Sequence, residues 1–305
     1  MRVAAIDQGT NTTRLLVADV DDGQLEEVVR RTAITRLGEG VDSRRRLLPL
    51  PIARVRNTLT DYRREAERLG AERTLLIGTS AIRDAENGEA FLGEIEWSYG
   101  FATQMLSGDE EARMLVRGVG EVGADTLVLD VGGGSTELVA GDRHVSVDVG
   151  AVRLTERFLA SDPPTDAELE ACAACARGLM PPLDVTDAIG VAGTVTTLAA
   201  LDLGLDEYDR ARVDGHRLTR AGVDAQLARL ADVPLAVRRE IPAHEPERAP
   251  VIVGGAVIVH EVLKAYDLEA LTVSERDILD GAALAAAELP EPVEGDAPPG
   301  AYTCC

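Results

Sequence analysis

The feature that most limits what this chain can fold into is a hairpin it uses twice. Residues 2–20 read RVAAIDQGTNTTRLLVADV, an apolar strand, a polar turn and a second apolar strand. Residues 126–141 read TLVLDVGGGSTELVAG, the same plan with three consecutive glycines in the turn. Both turns open on Asp-x-Gly: Asp7-Gln8-Gly9 and Asp130-Val131-Gly132. Glycine weakens a strand, so a glycine run inside a hairpin marks a place where bare backbone is needed. Repetition of a supersecondary unit governs the whole fold assignment. Each hairpin is followed by a further strand, EEVVRRTAITRL in the first half and the start of RHVSVDVGAVRLTERF in the second. Helical and strand-like segments then alternate, which implies a mainly parallel sheet flanked by helices.

The expected architecture is therefore α/β, with two tandem lobes and an interlobe cleft on which the two hairpin turns face each other. The boundaries read as 1–120 for lobe I and 121–289 for lobe II, whose last element is a closing helix in LEALTVSERDILDGAALAAAE. PVIVGGAVIVHEVLKAY reads as a strand, a Gly-Gly turn and a helix, and AIGVAGTVTTLAALDLG as a strand turning into a helix. Residues 290–305 are Pro/Gly-rich and acidic, the composition of a disordered tail. This duplicated ββαβα plan resembles the actin-like (ribonuclease H-like) ATPase superfamily.

Composition narrows the partners. Of 305 residues, 45% are hydrophobic and only 3% aromatic, so the core must be built from Ala, Val, Leu and Ile. The formal net charge of −22 opposes polyanions globally and argues against nucleic acid. It leaves room for a small anionic substrate, because exposed charges are screened beyond about 8 Å and a few arginines set the local sign. No stretch approaches the roughly 18–20 apolar residues of a membrane helix, and the N-terminus lacks a signal-peptide pattern. A cytoplasmic protein without a membrane partner is expected. Cys172 and Cys175 lie in an Ala-rich helical stretch without further zinc ligands nearby and read as inert thiols. Cys304 and Cys305 fall in the tail, and the four histidines form no metal-binding pattern.

A glycine turn lets main-chain N–H groups converge on an anion, usually a phosphate. Ser135 and Thr136 add hydroxyls to the second turn. Asp130 and Glu137 flank it, and carboxylates beside a phosphate make sense when Mg²⁺ lies between them. Gly193 and Thr194 sit at a third strand-to-helix turn and are candidates for further phosphates. Arg14, Arg83 and Arg153 are the cationic candidates, since guanidinium forks match phosphate oxygens. Phosphoryl transfer to water also needs a group that orients the water. Glu110 and Glu111 open a predicted helix and supply two choices, although acids there also complement a helix dipole. The Arg44–Arg46 run reads as a solvated loop.

The segments AIDQGTNTTRLLVAD, RLGEGVD, GTSAIRDAENGEAF, LSGDEEARM, LVLDVGGGSTELV, DVGAVRLTERF, GVAGTVTTLAAL, VIVGGAVIV and SERDILDG run in order from residue 3 to about 285. In these the chain resembles the exopolyphosphatase/guanosine pentaphosphate phosphohydrolase family, in particular its short, two-lobed actinobacterial-type exopolyphosphatases. Gln8 and Thr12 depart from the residues usual at their positions in that family. The resemblance implies a hydrolase of phosphoric anhydrides that removes the terminal phosphate of inorganic polyphosphate, with short chains preferred. Its alternative substrate is guanosine pentaphosphate; a non-catalytic phosphate- or nucleotide-sensing module is the third reading. The resemblance implies a divalent metal (Mg²⁺ or Mn²⁺) on Asp130 and Glu137, with Asp7 acting through water. It places the terminal phosphate on Gly132, Gly133, Gly134 and Ser135 and on Gly9, Thr10, Asn11 and Thr12. It selects Glu111 as catalytic base, with Glu110 as rival, and it implies a homodimer.

Overall fold

The computed structural model describes residues 1–243 and 245–290. The chain forms two compact units: unit 1 is Met1–Gly120 together with the chain from Ile278 onward, and unit 2 is Glu121–Asp277. The tail reading, Cys304 and Cys305 lie outside the described residues, as does His244.

In unit 1 the order is β1 (Arg2–Gln8), β2 (Thr12–Asp21), β3 (Gln24–Ile34), α1 (Val41–Arg44), α2 (Pro49–Arg68), β4 (Arg73–Gly78), α3 (Ser80–Arg83), α4 (Gly88–Tyr99), β5 (Ala102–Met105) and α5 (Gly108–Val119). Unit 2 follows with β6 (Thr126–Val131), β7 (Thr136–Ala140), β8 (Arg143–Val147), α6 (Ala151–Phe158), α7 (Asp166–Leu179), β9 (Asp187–Val191) and α8 (Ala192–Asp202). It continues through α9 (Arg210–Val213), β10 (Arg217–Thr219), α10 (Arg220–Ala231), α11 (Leu235–Arg238), α12 (Ile252–Ala265) and β11 (Ala270–Val273). The last described helix, α13 (Ile278–Glu288), returns to unit 1.

The sheet orders are β3-β2-β1-β4-β5 and β10-β11-β9-β6-β7-β8. The two sheets superpose in plan, with β6, β7, β8, β9 and β11 standing where β1, β2, β3, β4 and β5 stand. Each carries an antiparallel meander on one side and parallel strands on the other. The sheets are thus mixed rather than mainly parallel, because both hairpins stay in the sheet. β10 is an additional short edge strand, antiparallel to β11, and its three residues are too few for a periodic signal.

The first sheet explains where α13 belongs. β1 alternates its side chains, and both faces are apolar. Ala4 and Ile6, with Leu15 and Val17 of β2, join a core with Val55, Leu59 and Tyr62 of α2 and Phe91, Leu92 and Ile95 of α4. Val3 and Ala5, with Leu16 and Ala18, face the other way and pack on Ile278, Leu279, Ala282, Ala283 and Ala286 of α13. Each fully buried Val, Leu or Ile among these contributes roughly 1.5–3 kcal/mol and each Ala methyl about 0.8 kcal/mol. Without α13 that face would be bare. The closing helix therefore completes unit 1, a correction to its expected place in lobe II. Arg30 of β3 fastens it through both carboxylate oxygens of buried Asp280, at 3.0 and 2.9 Å. Gly281 lets it cross α5 so closely that a Cβ would overlap the Met114 carbonyl.

A second correction concerns VIVGGAVIV, which forms no strand; it opens α12. A Cβ on Gly254 would lie 2.8 Å from Thr155 Oγ1, and one on Gly255 2.6 Å from Thr194 Cγ2. The pair serves close helix crossings with α6 and α8 rather than a turn.

Candidate functional site

In unit 1 the β1–β2 turn closes with Gly9 N donating to Thr12 O at 2.9 Å. Its carbonyls are held from behind by the segment after β3. Gly38 N donates to Thr10 O at 2.8 Å, and Thr35 N and Arg36 N donate to Asn11 O at 3.1 and 2.9 Å. A trans peptide points its C=O and N–H in opposite directions. The Asn11 and Thr12 amides therefore face away from this strap. Arg54 of α2 fixes the strap in turn, donating to Thr35 O at 2.7 Å and to Glu39 Oε2 at 2.8 Å. Gln8 is fully buried and satisfied within the hairpin. Its Oε1 accepts from Thr13 Oγ1 at 2.7 Å and its Nε2 donates to Gly9 O at 3.1 Å. The departure at Gln8 is thus absorbed by a local hydrogen-bond network. Asp7 and Arg14 are register partners on β1 and β2, and Arg14 Nη2 meets Asp7 Oδ2 at 2.6 Å.

The two neighbouring glutamates separate cleanly. Glu110 and Ser107 form a capping box that starts α5. Ser107 N donates to Glu110 Oε2 at 2.8 Å, and Glu110 N donates back to Ser107 Oγ at 3.3 Å. The backbone N–H of Ser107, and after it the Ser107 hydroxyl donating to Glu110 Oε2 at 2.7 Å, hold the Glu110 carboxyl below its ordinary pKa. Glu111 points elsewhere. It is 3% exposed and ion-paired with Arg83 of α3, whose Nη1 also donates to Leu106 O at 2.7 Å. Asn87, from the same motif as Arg83, is structural: it clasps both backbone groups of Leu47.

In unit 2 the β6–β7 turn closes with Gly132 N donating to Ser135 O at 3.1 Å. Here the first turn of α6 backs it. Ala151 N donates to Gly132 O at 2.9 Å, while Val152 N and Arg153 N donate to Gly133 O at 2.8 and 3.1 Å. The Gly133 and Gly134 amides accordingly face away from α6. Arg153, 7% exposed, adds its Nε to Gly134 O at 2.7 Å, and Thr136 Oγ1 donates to Val149 O at 2.6 Å. A Cβ on Gly150 would lie 2.5 Å from the Gly133 carbonyl, so bare backbone meets bare backbone here. Asp130 and Glu137 are directly opposed register partners, both buried, and Glu137 Oε1 accepts from Ser146 Oγ at 2.8 Å. Opposed like charges are unfavourable in a sheet. Two carboxylates on one face beside an amide-lined turn suit a divalent cation that shares its remaining positions with phosphate oxygens. Among the described residues no group of three or more acid, imidazole or thiol side chains is arranged to hold a metal ion alone.

The third turn differs from its expected form. β9 enters α8 without a loop, with Ala192 at φ 61°. Thr194 donates its hydroxyl to Val131 O at 3.1 Å, which occupies the proton expected to reach a phosphate. Gly193 is covered by the Arg248 guanidinium, which a Cβ would strike. Arg248, paired with Glu245 at 2.8 Å, is a cation at the start of α8 that no local pattern in the sequence announces. Arg44–Arg46 are exposed. Burial pushes the Cys172 thiol up to about 12, which suits an inert cysteine. His216 and His260 each bond a carboxylate, Asp202 at 2.9 Å and Asp224 at 2.5 Å. Among the described residues no helix is long and apolar enough to cross a membrane.

Known proteins carry the same plan. The chain is 41% identical to exopolyphosphatase 2 of Mycobacterium tuberculosis, over 94% of this chain and 98% of that protein. It is 28% identical to the guanosine-5'-triphosphate,3'-diphosphate pyrophosphatase of Photobacterium profundum, over 91% of this chain but only 58% of that longer protein. A crystal structure of an exopolyphosphatase-like protein matches with TM-score 0.86 and 34% identity, over 93% of this chain and 98% of the other. That of the Aquifex aeolicus Ppx/GppA protein matches with TM-score 0.76 and 30% identity, over 94% and 98%. The model of the Ppx/GppA phosphatase family matches residues 16–287, and with two actin-like α/β lobes and a 41% identical relative covered over 98% of its length, this chain belongs to that family.

Proposed function

We propose that the protein is an exopolyphosphatase that hydrolyses the terminal phosphate of linear, short-chain inorganic polyphosphate. The observation that carries this reading is the β6–β7 turn: amides turned outward by α6, with Asp130 and Glu137 opposed at its base. The Gly133, Gly134 and Ser135 amides would bind the terminal phosphate, as would the Asn11 and Thr12 amides of the β1–β2 turn. Asp130 and Glu137 would hold Mg²⁺ or Mn²⁺, with Asp7 contributing through water. Such an ion supplies charge neutralisation and orientation of the phosphate oxygens.

Glu111 is the base in this scheme. Its carboxylate takes one proton from the attacking water as the water oxygen bonds to the terminal phosphorus. The bridging P–O bond breaks and the shortened chain departs with the bond's electron pair, leaving orthophosphate. The capping box favours Glu111 over Glu110, because the Glu110 carboxylate is engaged in starting α5. Arg83 orients Glu111, Arg14 does the same for Asp7, and Arg153 shapes the glycine turn. The Gly193–Thr194 amides and Arg248 are candidates for phosphates further along the chain. The same proposal includes a cytoplasmic location and a homodimer.

Phosphate release from tripolyphosphate and longer chains, with and without Mg²⁺, tests it. Glu111→Gln should lower kcat by about 10²–10⁴ while substrate is still bound. No release from folded wild-type protein on any chain length overturns the reading. Binding without turnover in the wild type would favour a sensing module. A second reading, hydrolysis of guanosine pentaphosphate, is favoured by the Photobacterium relative. Direct competition between that nucleotide and tripolyphosphate decides which is the better substrate.

A further inference from the structure

Two polar side chains of unit 1, Asn11 and Ser80, are buried without partners. Ser80 Oγ and both amide atoms of Asn11 have no hydrogen-bond partner, at 2% and 7% residue exposure. Native proteins rarely leave such groups unsatisfied, and each one that is calls for an explanation. Four threonine hydroxyls of this unit behave differently. Thr58 and Thr60 back-bond to the carbonyls of Arg54 and Arg56, and Thr13 and Thr35 bond each other at 2.8 Å.

The position of the orphans is informative. β1 and β4 are parallel neighbours, with Gln8 opposite Gly78 at their C-terminal ends. Asn11 and Ser80 follow those ends by three and two residues. Open α/β sheets bind ligands outside the carboxyl ends of their strands. Arg83, one helical turn after Ser80, carries the ion pair to Glu111. Asp7 and Glu111 are already engaged by arginines. What this edge offers in addition is donors: a hydroxyl proton and an amide NH₂.

We propose that Ser80 is a substrate-contacting residue whose hydroxyl donates to a phosphate oxygen of the substrate, with the Asn11 amide donating beside it. This rests on the phosphatase reading above. It gives Ser80, which lies in the same motif as Arg83 but without an assigned role, a part in recognising the phosphate chain. It also explains why the hydroxyl is tolerated in a buried, unbonded state before substrate arrives.

The test compares wild type, Ser80→Ala and Ser80→Cys, the last preserving size with a poor donor. Three quantities are measured: the Tm of unliganded protein, and kcat and KM for tripolyphosphate with Mg²⁺. Ser80→Ala should leave the unliganded Tm unchanged or higher, because it removes an unsatisfied buried group. It should lower kcat/KM about tenfold or more, the worth of a hydrogen bond to a charged oxygen. Ser80→Cys should lower kcat/KM similarly and supplies the same readout if Ser80→Ala does not fold. A lower Tm with unchanged kcat/KM would make the hydroxyl structural and overturn the proposal. Unchanged Tm and unchanged kcat/KM would mean that it holds only a resident water, which also overturns it. A wild type that releases phosphate from no chain length sinks the phosphatase reading and this inference with it; an active wild type with an equally active Ser80→Ala sinks this inference alone.

Discussion

The two hairpins occupy the same place in their sheets and close with the same bond, yet they differ at two points. The first is charge. At the same position in each hairpin, β1–β2 sets Asp7 against Arg14, an acid against a cation, whereas β6–β7 sets Asp130 against Glu137, an acid against an acid. The second is backing. A loop strap holds the carbonyls of the first turn, and a helix N-terminus holds those of the second. Charge follows task. The first hairpin balances itself with a side chain; the second keeps two acids together, the arrangement suited to a divalent ion. Backing differs in what it meets: Gly150 at the helix N-terminus must be bare because it lies against the Gly133 and Gly134 backbone, whereas Gly38 of the strap lies chiefly against the Thr10 side chain.

The largest test of this contrast is Asp130→Asn against Asp7→Asn. Asp130→Asn should cut Mg²⁺-dependent phosphate release at least about 100-fold, since the metal's share is several kcal/mol. It should also abolish the rise in Tm that Mg²⁺ gives the wild type. Asp7→Asn should preserve most of that rise, its share being through water only, but lower unliganded stability by about 3 kcal/mol, because it strands a largely buried Arg14. If both variants lose the Mg²⁺ response equally, the division of labour between the hairpins is wrong.

The backing is tested next. Gly150→Ala drives a Cβ against the Gly133 backbone and should cost about 3 kcal/mol, together with turnover. Gly38→Ala meets chiefly the Thr10 methyl and should cost about 1–2 kcal/mol, largely restored by Thr10→Ser. Chemical denaturation of all three variants reads this directly. Equal costs would mean that the strap is as stiff as the helix.

The smallest effect separates the two glutamates. Glu110→Gln should leave kcat near wild type and lower stability by no more than about 1 kcal/mol at neutral pH. Because folding lowers the Glu110 pKa, its contribution is complete above the ordinary carboxylate value of about 4.3 and fades as pH falls through the lowered value. The variant and the wild type should therefore converge in acid. A kcat loss as deep as that of Glu111→Gln would return Glu110 to the chemistry.

Much of this was legible in the sequence for a definite reason. Strand alternation, Asp-x-Gly turns and the Ser107–Glu110 spacing are local signals, and local signals fixed both hairpins and the start of α5. What stayed hidden depends on partners distant in sequence. The pattern of α13 announces an apolar helix but not which sheet it covers. Gly254-Gly255 reads as a turn because nothing nearby reveals the helices that cross it. Arg248 lies in no motif, and Ser80 lies in the Arg83 motif without an assigned role; one matters through Gly193 and the other through an absence of hydrogen bonds, and neither role is visible along the chain. Gln8 departs from its family's pattern, and only the Thr13 hydroxyl and Gly9 carbonyl show why it is tolerated.

Because α13 belongs with β1 and β2, made more than about 250 residues earlier, synthesis order and assembly order must diverge. Unit 2 has its full complement of strands and helices once residue 277 has emerged, whereas unit 1 waits with Val3, Ala5, Leu16 and Ala18 uncovered. The half that is translated first is thus the half that matures last, and its exposed apolar face is the stretch on which nascent chains of this protein most need a chaperone.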